Sequence, residues 1–388
     1  MALISETIGK KYSTTTLPYC YFLLSVVTIS MSGFFFAKAD NQTQNREVEM
    51  SEAKDKIVLP TTSTTTYPGT TWQKVTAAEQ GFDATKLEAI KNLMQQYKAN
   101  GVLVRNGYLI DSWNYAGQPD TQFDIQSCTK TITSLALGLA LAEGRIAAID
   151  RPVKEYWPDF DAGPYTEKIT FEHLISMTAG IKQEIDYGTN QGKNIPENYI
   201  EPGKSYNYLN DQTKLLGAAL TYIYGQDLLE ITQERLKAIN CTLGWDTIAR
   251  WDPVVKLADG TLKQPKCAYA RASFSAENLA RIGHLYLQRG TWADKQIITP
   301  QYVDKSLSLI SRFEPTPEAL AGETPTILGY GYSWRHHEAD GTKYWAMNGY
   351  GSIESYRQYS SFQNLFSKRA AFLLKLRESM QVPDMLRE

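Results

Sequence analysis

Ser127 and Lys130 lie three positions apart, and a long apolar segment rich in Ala and Leu follows them at once. Residues at this spacing share one face of a helix, so the Lys130 amine can reach the Ser127 hydroxyl. An apolar helix desolvates the amine, which lowers the pKa of a lysine and lets it act as a base. The pattern therefore predicts a serine nucleophile activated by a lysine. The alternative is a helix-capping serine beside a solvated lysine, and a second Ser-x-x-Lys, Ser51 to Lys54, stands in a polar segment where we expect no chemistry.

Two further segments contain groups that could complete such a site. Tyr208-Leu209-Asn210 is the single Tyr-x-Asn of the chain and opens another apolar helix. A phenol held near an ammonium can relay a proton to a leaving group, and Asn210 could orient the lysine or a substrate amide. The stretch KYWAMNGYG, residues 343–351, predicts a strand that ends in glycines. Gly349 and Tyr350 lie at that end, where the backbone can approach a substrate closely and offer an N–H.

Other chemistries are less well supported. The chain has four histidines but no His-Glu-x-x-His, no Gly-x-Ser-x-Gly, no P-loop and no dinucleotide-binding fingerprint. His336 and His337 are predicted on a strand edge at the surface rather than in a metal site. We therefore expect no metal and no cofactor. The formal net charge of −2 gives no reason to expect nucleic acid as a partner.

The N-terminus predicts export. Lys10 and Lys11 precede an apolar run, residues 17–37, which ends in the small-x-small pattern Ala37-Lys38-Ala39. This indicates a signal peptide over residues 1–39 and a periplasmic or secreted protein. The run is also about long enough to span a bilayer, so an uncleaved membrane anchor is the alternative. Residues 40–70 are polar and rich in Thr, which predicts a disordered tether before a domain over residues 71–351.

Periodicity places these segments on helices and strands. Residues 82–101 have helical spacing, and Asn106-Gly107 between two β-rich runs predicts a hairpin. Helices are predicted in residues 169–180, 210–225 and 275–290, and strands in 327–337 and 343–351. Together they predict a mixed α/β (α+β) fold with an antiparallel sheet flanked by helices and a helical lobe. Cys241 and Cys267 could pair after export, which the sequence leaves open.

With these motifs in order, the chain resembles the serine β-lactamase and penicillin-binding-protein superfamily. It looks most similar to the class C-related branch, which includes esterases, D-alanyl-D-alanine carboxypeptidases and 6-aminohexanoate-dimer hydrolases. The resemblance extends over about residues 100–350. It rests on the stretches VLVRNGYLIDSWNYAG, FDIQSCTKTITSLALGLALAEGRIAAID, VKEYWPDF, ITFEHLISMTAGI, PGKSYNYLNDQTKLLGAAL and FSAENLARIGHLYLQRG.

The resemblance implies roles for single residues. Ser127 would be acylated, Lys130 would be its base and Tyr208 would shuttle the proton; Asn210 matches the family's asparagine less closely in role. Met347-Asn348-Gly349 stands where β-lactamases have Lys-Thr-Gly, so the lysine that anchors a β-lactam carboxylate is absent. The oxyanion hole would be the backbone N–H groups of Ser127 and Tyr350.

The C-terminus departs from the family. In the family, two strands and a closing helix follow the third motif and join it to the N-terminal hairpin in one sheet. Residues 352–388 show no strand alternation and form an atypical basic tail, with an amphipathic helix predicted near 362–379. This looks like a replaced or frame-shifted C-terminus, which would leave strand edges exposed.

The function that these motifs favour is an exported serine hydrolase. It would cleave a small amide or ester through an acyl-Ser127 intermediate, and it would contact a membrane only through an uncleaved signal. A D-alanyl-D-alanine carboxypeptidase or a β-lactamase is one alternative. The other is a non-catalytic binding protein or a degenerate truncated homologue.

Overall fold

The computed structural model describes residues 25–28, 65–96, 100–115, 117–181, 200–248, 254–315, 320, 326–339 and 342–349. The helices are α1 (Ala84–Gln96), α2 (Thr129–Ala142), α3 (Phe171–Ile175), α4 (Asn210–Tyr224), α5 (Leu228–Leu236), α6 (Ala276–Leu287) and α7 (Pro300–Ser306). The strands are β1 (Ser25–Thr28), β2 (Asn100–Arg105), β3 (Tyr108–Asn114), β4 (Phe123–Asp124), β5 (Gly244–Trp245), β6 (Val255–Lys256), β7 (Leu262–Lys263), β8 (Ala272–Phe274), β9 (Thr291–Trp292), β10 (Lys295–Gln296), β11 (Ser311–Arg312), β12 (Thr326–Tyr330), β13 (Arg335–Ala339) and β14 (Thr342–Ala346).

The predicted hairpin is confirmed in β2 and β3. The strands pair antiparallel, and the turn residues Asn106 and Gly107 have φ angles of 54° and 80°. Positive φ at both positions is what a two-residue hairpin turn with the natural strand twist requires. β1 pairs in parallel with β2, from Ser25 opposite Gly101 onwards. β1 falls within the segment for which we predict a signal peptide, and that assignment stays a prediction.

The strands that lead to the third motif form a four-stranded antiparallel sheet in the order β11-β12-β13-β14. A second sheet, in the order β4-β8-β5, positions the segment that precedes Ser127. Among the described residues, the hairpin and the four-stranded sheet are not joined by strand pairing. The tail from residue 352 lies outside the described residues, and so does its predicted helix.

The core surrounds α2. Every residue of α2 from Thr129 to Ala140 is buried, and the helix packs against α4 and α5. Gly138 lies so close to Tyr302 that an added Cβ would be 2.7 Å from its ring. A helix that is buried on all sides is typical of the centre of a large core. The fold is therefore the predicted mixture of antiparallel sheets and a helical lobe, with α2 running through its middle.

Residues 65–70 precede the predicted start of the domain at residue 71, yet they already contact it. The Thr66 N–H donates to the Asn106 carbonyl at 3.1 Å, and a ring nitrogen of His284 lies 3.1 Å from the Thr66 carbonyl oxygen. Arg281 donates to the carbonyls of Pro68 and Thr70. Burial lowers the pKa of His284 to about 4, which keeps this ring neutral. Part of the predicted tether is therefore bound to the domain surface.

Several local expectations need correction. Cys241 and Cys267, whose pairing the sequence leaves open, are buried thiols that form no disulfide. The helix predicted over residues 169–180 is short, Phe171–Ile175. His337 is only 5% exposed, and burial lowers the pKa of its neighbour His336 to about 4, so this pair is not a surface edge. The reason is that β13 lies between β12 and β14 rather than at the rim of the sheet. Within the described part of the chain, no helix has the length and apolar character needed to cross a membrane.

Candidate active site

Ser127 lies on a 3-10 turn, Gln126–Cys128, that leads directly into α2. Gln126 has a φ of 50°, a conformation that costs a side-chain-bearing residue on the order of 1 kcal/mol. The Asp124 carboxylate supports it, because it accepts from the Gln126 backbone at 2.8 Å and from the Gln126 side-chain amide at 2.9 Å. The same carboxylate accepts from the Arg271 backbone N–H at 3.1 Å. Asp124 thus fixes the turn that presents Ser127.

Lys130 is 1% exposed, and its amine lies beside the serine. Nζ donates to Ser127 Oγ at 3.0 Å and to the Tyr269 carbonyl at 3.2 Å. Desolvation lowers the pKa of Lys130, although the nearby Tyr208 opposes part of this effect. A lysine with a lowered pKa is more often neutral, and a neutral amine at this distance can accept the hydroxyl proton of Ser127. The predicted pairing of Ser127 with Lys130 is present in the structure.

Tyr208 completes the predicted set of three. It immediately precedes the Leu209 N-cap of α4, and Lys130 Nζ lies 4.8 Å from the centroid of its ring. Burial by itself would raise the pKa of Tyr208. The Lys130 charge, a hydrogen bond with Ser127 and the Arg335 charge outweigh it, so the pKa of Tyr208 is lowered. A phenol with a lowered pKa, held between a serine and a lysine, is suited to proton transfer in the range where the lysine titrates.

The third motif lies against the nucleophile turn. A Cβ added to Gly349 would be 2.3 Å from the Ile125 carbonyl oxygen and 3.3 Å from the Cys128 backbone nitrogen. Only glycine allows this approach, as predicted for the end of this strand. Asn348, which stands at the threonine position of the family motif, lies 3.1 Å from His337 through its side-chain amide nitrogen. Tyr350, the second predicted oxyanion donor, lies outside the described residues.

Asn210 is the predicted residue with the least support from the geometry. It is the first residue of α4, and its carbonyl accepts from the Thr213 hydroxyl at 2.9 Å. The described residues show no hydrogen bond from its side chain to Lys130, whose amine is held by Ser127 and by the Tyr269 carbonyl instead. The predicted role of Asn210 in orienting the lysine or a substrate amide therefore stays a prediction.

Two residues that contact the predicted site have no signal in the sequence. Tyr269 belongs to an irregular segment, yet its carbonyl holds Lys130, and its ring centroid is 5.6 Å from Lys130 Nζ and 5.3 Å from Lys214 Nζ. Lys214 is itself paired with the buried Asp211 at 3.0 Å. Arg335 is the second unanticipated residue, with its guanidinium carbon 5.1 Å from the Tyr208 ring centroid. A predicted strand does not reveal its register, so the sequence could not place this cation.

The sequence profile of the Beta-lactamase family matches residues 88–360, which is more than half of the chain. The chain belongs to the Beta-lactamase family. Members of this family are generally hydrolases. The resemblance to the serine β-lactamase and penicillin-binding-protein superfamily, predicted from the sequence motifs, is confirmed. The described residues hold no group of three or more His, Cys, Asp or Glu side chains that could bind a metal ion.

Individual relatives are distant and match in part. The chain is 28% identical over 168 residues to Protein flp of Staphylococcus aureus strain N315, covering 37% of this chain and 34% of that protein. It is 35% identical over 115 residues to a Beta-lactamase of Escherichia coli strain K12, covering 27% of this chain and 30% of that protein. The match thus spans about a third of the length of each of these two relatives. The solved structure of SurE with D-Leu superposes with a TM-score of 0.51 at 18% identity, over 69% of this chain and 65% of SurE, which shows a shared fold.

Proposed function

We propose that this protein is a serine hydrolase that cleaves a small amide or ester through an acyl-Ser127 intermediate. The observation that carries the proposal is the buried Lys130 amine 3.0 Å from the Ser127 hydroxyl, with the Tyr208 ring beside it. A serine hydroxyl is a weak nucleophile until a base removes its proton. A desolvated lysine at hydrogen-bond distance supplies that base, and the family to which the chain belongs supports hydrolysis as the outcome.

The reaction would proceed in two steps. Ser127 Oγ bonds to the substrate carbonyl carbon while its proton passes to neutral Lys130. Tyr208 then gives a proton to the leaving nitrogen or oxygen, and the bond between that atom and the acyl carbon breaks. Lys130 returns a proton to the Tyr208 phenolate. In the second step Lys130 takes a proton from water as the water oxygen bonds to the acyl carbon. The bond between that carbon and Ser127 Oγ then breaks, Lys130 returns the proton to Oγ, and the carboxylic acid leaves. The backbone N–H groups of Ser127 and Tyr350 would stabilise the oxyanion, each by about 3 kcal/mol.

Covalent labelling tests the nucleophile. A fluorophosphonate should add one label to the wild type, and the Ser127→Ala variant should take none, as measured by intact mass. The matched control is Ser51→Ala, because Ser51 belongs to the other Ser-x-x-Lys of the chain. Equal labelling of wild type and Ser127→Ala would refute the proposal. A chain that melts cooperatively but neither labels nor hydrolyses nitrophenyl esters would be a non-catalytic binding protein.

The finer assignment, an esterase or amidase similar to 6-aminohexanoate-dimer hydrolases, rests on the third motif. Met347 and Asn348 replace the lysine and threonine that β-lactamases use there. We therefore expect hydrolysis of small esters and linear amides to exceed that of nitrocefin. Faster turnover of nitrocefin, or of a peptide ending in D-Ala-D-Ala, would instead favour the β-lactamase or carboxypeptidase reading.

We also propose that the protein is exported by a signal peptide that ends at Ala39. Expression of the full chain in a bacterium, followed by mass analysis of the N-terminus in the periplasmic and medium fractions, tests this directly. A cytoplasmic product that retains residues 1–39 would contradict it.

A further inference from the structure

Two residues beside the Ser127–Lys130 pair share an unusual backbone conformation. Gln126, directly before the serine, has a φ of 50°, and Arg271, two residues after Tyr269, has a φ of 71°. Residues with a side chain seldom adopt a positive φ, because Cβ then comes close to the backbone carbonyl, and they keep it only where other contacts hold it. The first residue adjoins the nucleophile, and the second adjoins the segment whose carbonyl accepts from the Lys130 amine.

One carboxylate holds both of these residues. Asp124 Oδ1 accepts the backbone N–H of Gln126 at 2.8 Å and that of Arg271 at 3.1 Å, although Arg271 is 147 positions away from it in the sequence. Asp124 Oδ2 accepts from the Gln126 side-chain amide at 2.9 Å and lies 3.7 Å from a guanidinium nitrogen of Arg271. The two left-handed conformations therefore depend on the same side chain.

The segment that holds the lysine also contacts the start of α2. The Ala272 N–H donates to the Thr129 hydroxyl oxygen at 3.2 Å, and the Thr133 hydroxyl donates to the Ala268 carbonyl at 2.7 Å. The carbonyl that accepts from the Lys130 amine belongs to a residue between these two contacts. The backbone conformation of this segment therefore affects where that carbonyl points and where it places the amine.

Resting on the proposed function, we infer that Asp124 is a positioning residue for the reaction, because it sets the distance between the Ser127 hydroxyl and the Lys130 amine. Proton transfer between these groups depends on their short separation, which is 3.0 Å. A displacement of about 1 Å between reacting groups can slow a reaction on the order of 100-fold. Asp124 acts through the backbone on each side of the pair rather than as an acid or a base.

Substitutions of Asp124 separate position from charge. Asp124→Asn keeps an oxygen where both backbone N–H groups bind, and the Gln126 amide can rotate to face the new NH₂ group. Asp124→Glu keeps the charge but displaces the oxygens by one methylene, and Asp124→Ala removes both acceptors. The matched control is Asp259→Ala, because Asp259 accepts the Thr261 backbone N–H at 2.8 Å in the turn between β6 and β7.

The measured quantity is the rate constant of acylation by a nitrophenyl ester, with stopped flow and saturating ester. Urea unfolding of each variant ensures that only folded chains are compared. We expect acylation to slow on the order of 100-fold in Asp124→Ala and by roughly tenfold or less in Asp124→Asn. Asp124→Glu should be slower than Asp124→Asn, and Asp259→Ala should equal wild type. The ester concentration for half-saturation should stay nearly the same throughout, because Asp124 binds no part of the substrate.

Glycine provides a second test, because it adopts a positive φ without strain. In a chain that carries Gln126→Gly and Arg271→Gly, the carboxylate has less strain to hold. Adding Asp124→Ala to that chain should therefore slow acylation by roughly tenfold or less, and this coupling is measured as a double-mutant cycle. A role in stability alone would give no such coupling in the acylation rate.

Wild-type acylation in a folded Asp124→Ala variant would overturn the inference. So would an Asp124→Glu variant that is faster than Asp124→Asn, which would show that charge matters more than position; this comparison decides the question if Asp124→Ala does not fold. Equal losses with and without the two glycines would also overturn it. Each of these results leaves the hydrolase proposal intact as long as wild type is labelled at Ser127. If wild type is neither acylated nor labelled, the proposed function itself fails.

Discussion

Replacement of Lys130 by methionine separates catalysis from stability. Methionine is close to lysine in length and lacks the amine, so Lys130→Met keeps the packing of a residue that is 1% exposed and removes the base of Ser127. A positioned general base typically contributes 10² to 10⁴ in rate, which corresponds to about 3 to 5 kcal/mol of barrier. We expect acylation by a nitrophenyl ester to slow by that factor.

The effect on stability should have the opposite sign. The Lys130 amine has two hydrogen-bond acceptors, Ser127 Oγ and the Tyr269 carbonyl, and no carboxylate among the described residues. Burying a cation without an anion is unfavourable, so Lys130→Met should leave the free energy of unfolding equal or raise it by up to about 2 kcal/mol. Lys130→Ala should instead lower the free energy of unfolding by about 2 to 5 kcal/mol, because it leaves a cavity in the core.

The pH dependence of stability gives an independent signature. Desolvation makes the pKa of Lys130 lower in the folded chain than its value of about 10.4 in the unfolded chain. Between these two pKa values the folded state binds fewer protons, so the stability of the wild type should rise with pH through that window. Methionine does not titrate, so this contribution to the slope should be absent from Lys130→Met.

The assay combines stopped-flow acylation with urea unfolding of wild type, Lys130→Met and Lys130→Ala at several pH values between 6 and about 10. Acylation of Lys130→Met within threefold of wild type would refute the assignment of Lys130 as the base. A loss of several kcal/mol of stability in Lys130→Met would refute the view that this amine is buried at a cost for the sake of chemistry.

Two further substitutions test the neighbours of Lys130. Tyr208→Phe keeps the ring and removes the proton donor, so hydrolysis of an alkyl ester should fall about 10²-fold or more while a nitrophenyl ester, whose leaving group needs no proton, should be affected much less; equal losses for both esters would contradict the role. Gly349→Ala should reduce activity more than tenfold, because the added Cβ would lie 2.3 Å from the Ile125 carbonyl oxygen and displace the third motif. Gly69→Ala, with open space around the added Cβ, should leave activity unchanged, and a fully active Gly349→Ala would exclude close contact between motif and turn.

The parts of the site that were predictable from sequence are those that local geometry determines. Ser127 and Lys130 meet because helical spacing places them on one face, and the turn at Asn106-Gly107 follows from the positive φ angles that these residues tolerate. The helix predicted over residues 275–290 is α6, and the Ser275 side chain accepts from the Asn278 backbone N–H as its N-cap. In each case the residues that decide the structure are at most a few positions apart.

The parts that were missed depend on contacts between distant segments. Tyr269 reaches Lys130 across 139 positions of sequence and does so through its carbonyl, a group that every residue has. His337 was expected at the surface, because alternation along β13 cannot show that strands flank it on both sides. Arg335 reaches Tyr208 only through the register of β13. Periodicity predicts elements, whereas register and loop paths are set by tertiary packing.

The electrostatics of the site follow from which charges the fold leaves unpaired. The two described cations that lie over the Tyr208 ring are Lys130 and Arg335, and neither has a carboxylate partner among the described residues. Desolvation is the main cause that lowers the pKa of Lys130, and the Arg335 charge adds to it. Burial alone would raise the pKa of Tyr208, but the Lys130 charge, the Ser127 hydrogen bond and the Arg335 charge outweigh it and lower that pKa. The charges of these cations also favour the negative charge that develops on the substrate oxygen during attack, since that charge arrives where positive charge is already fixed. A carboxylate placed beside Lys130 would instead stabilise its protonated form and oppose the effect of desolvation on its pKa.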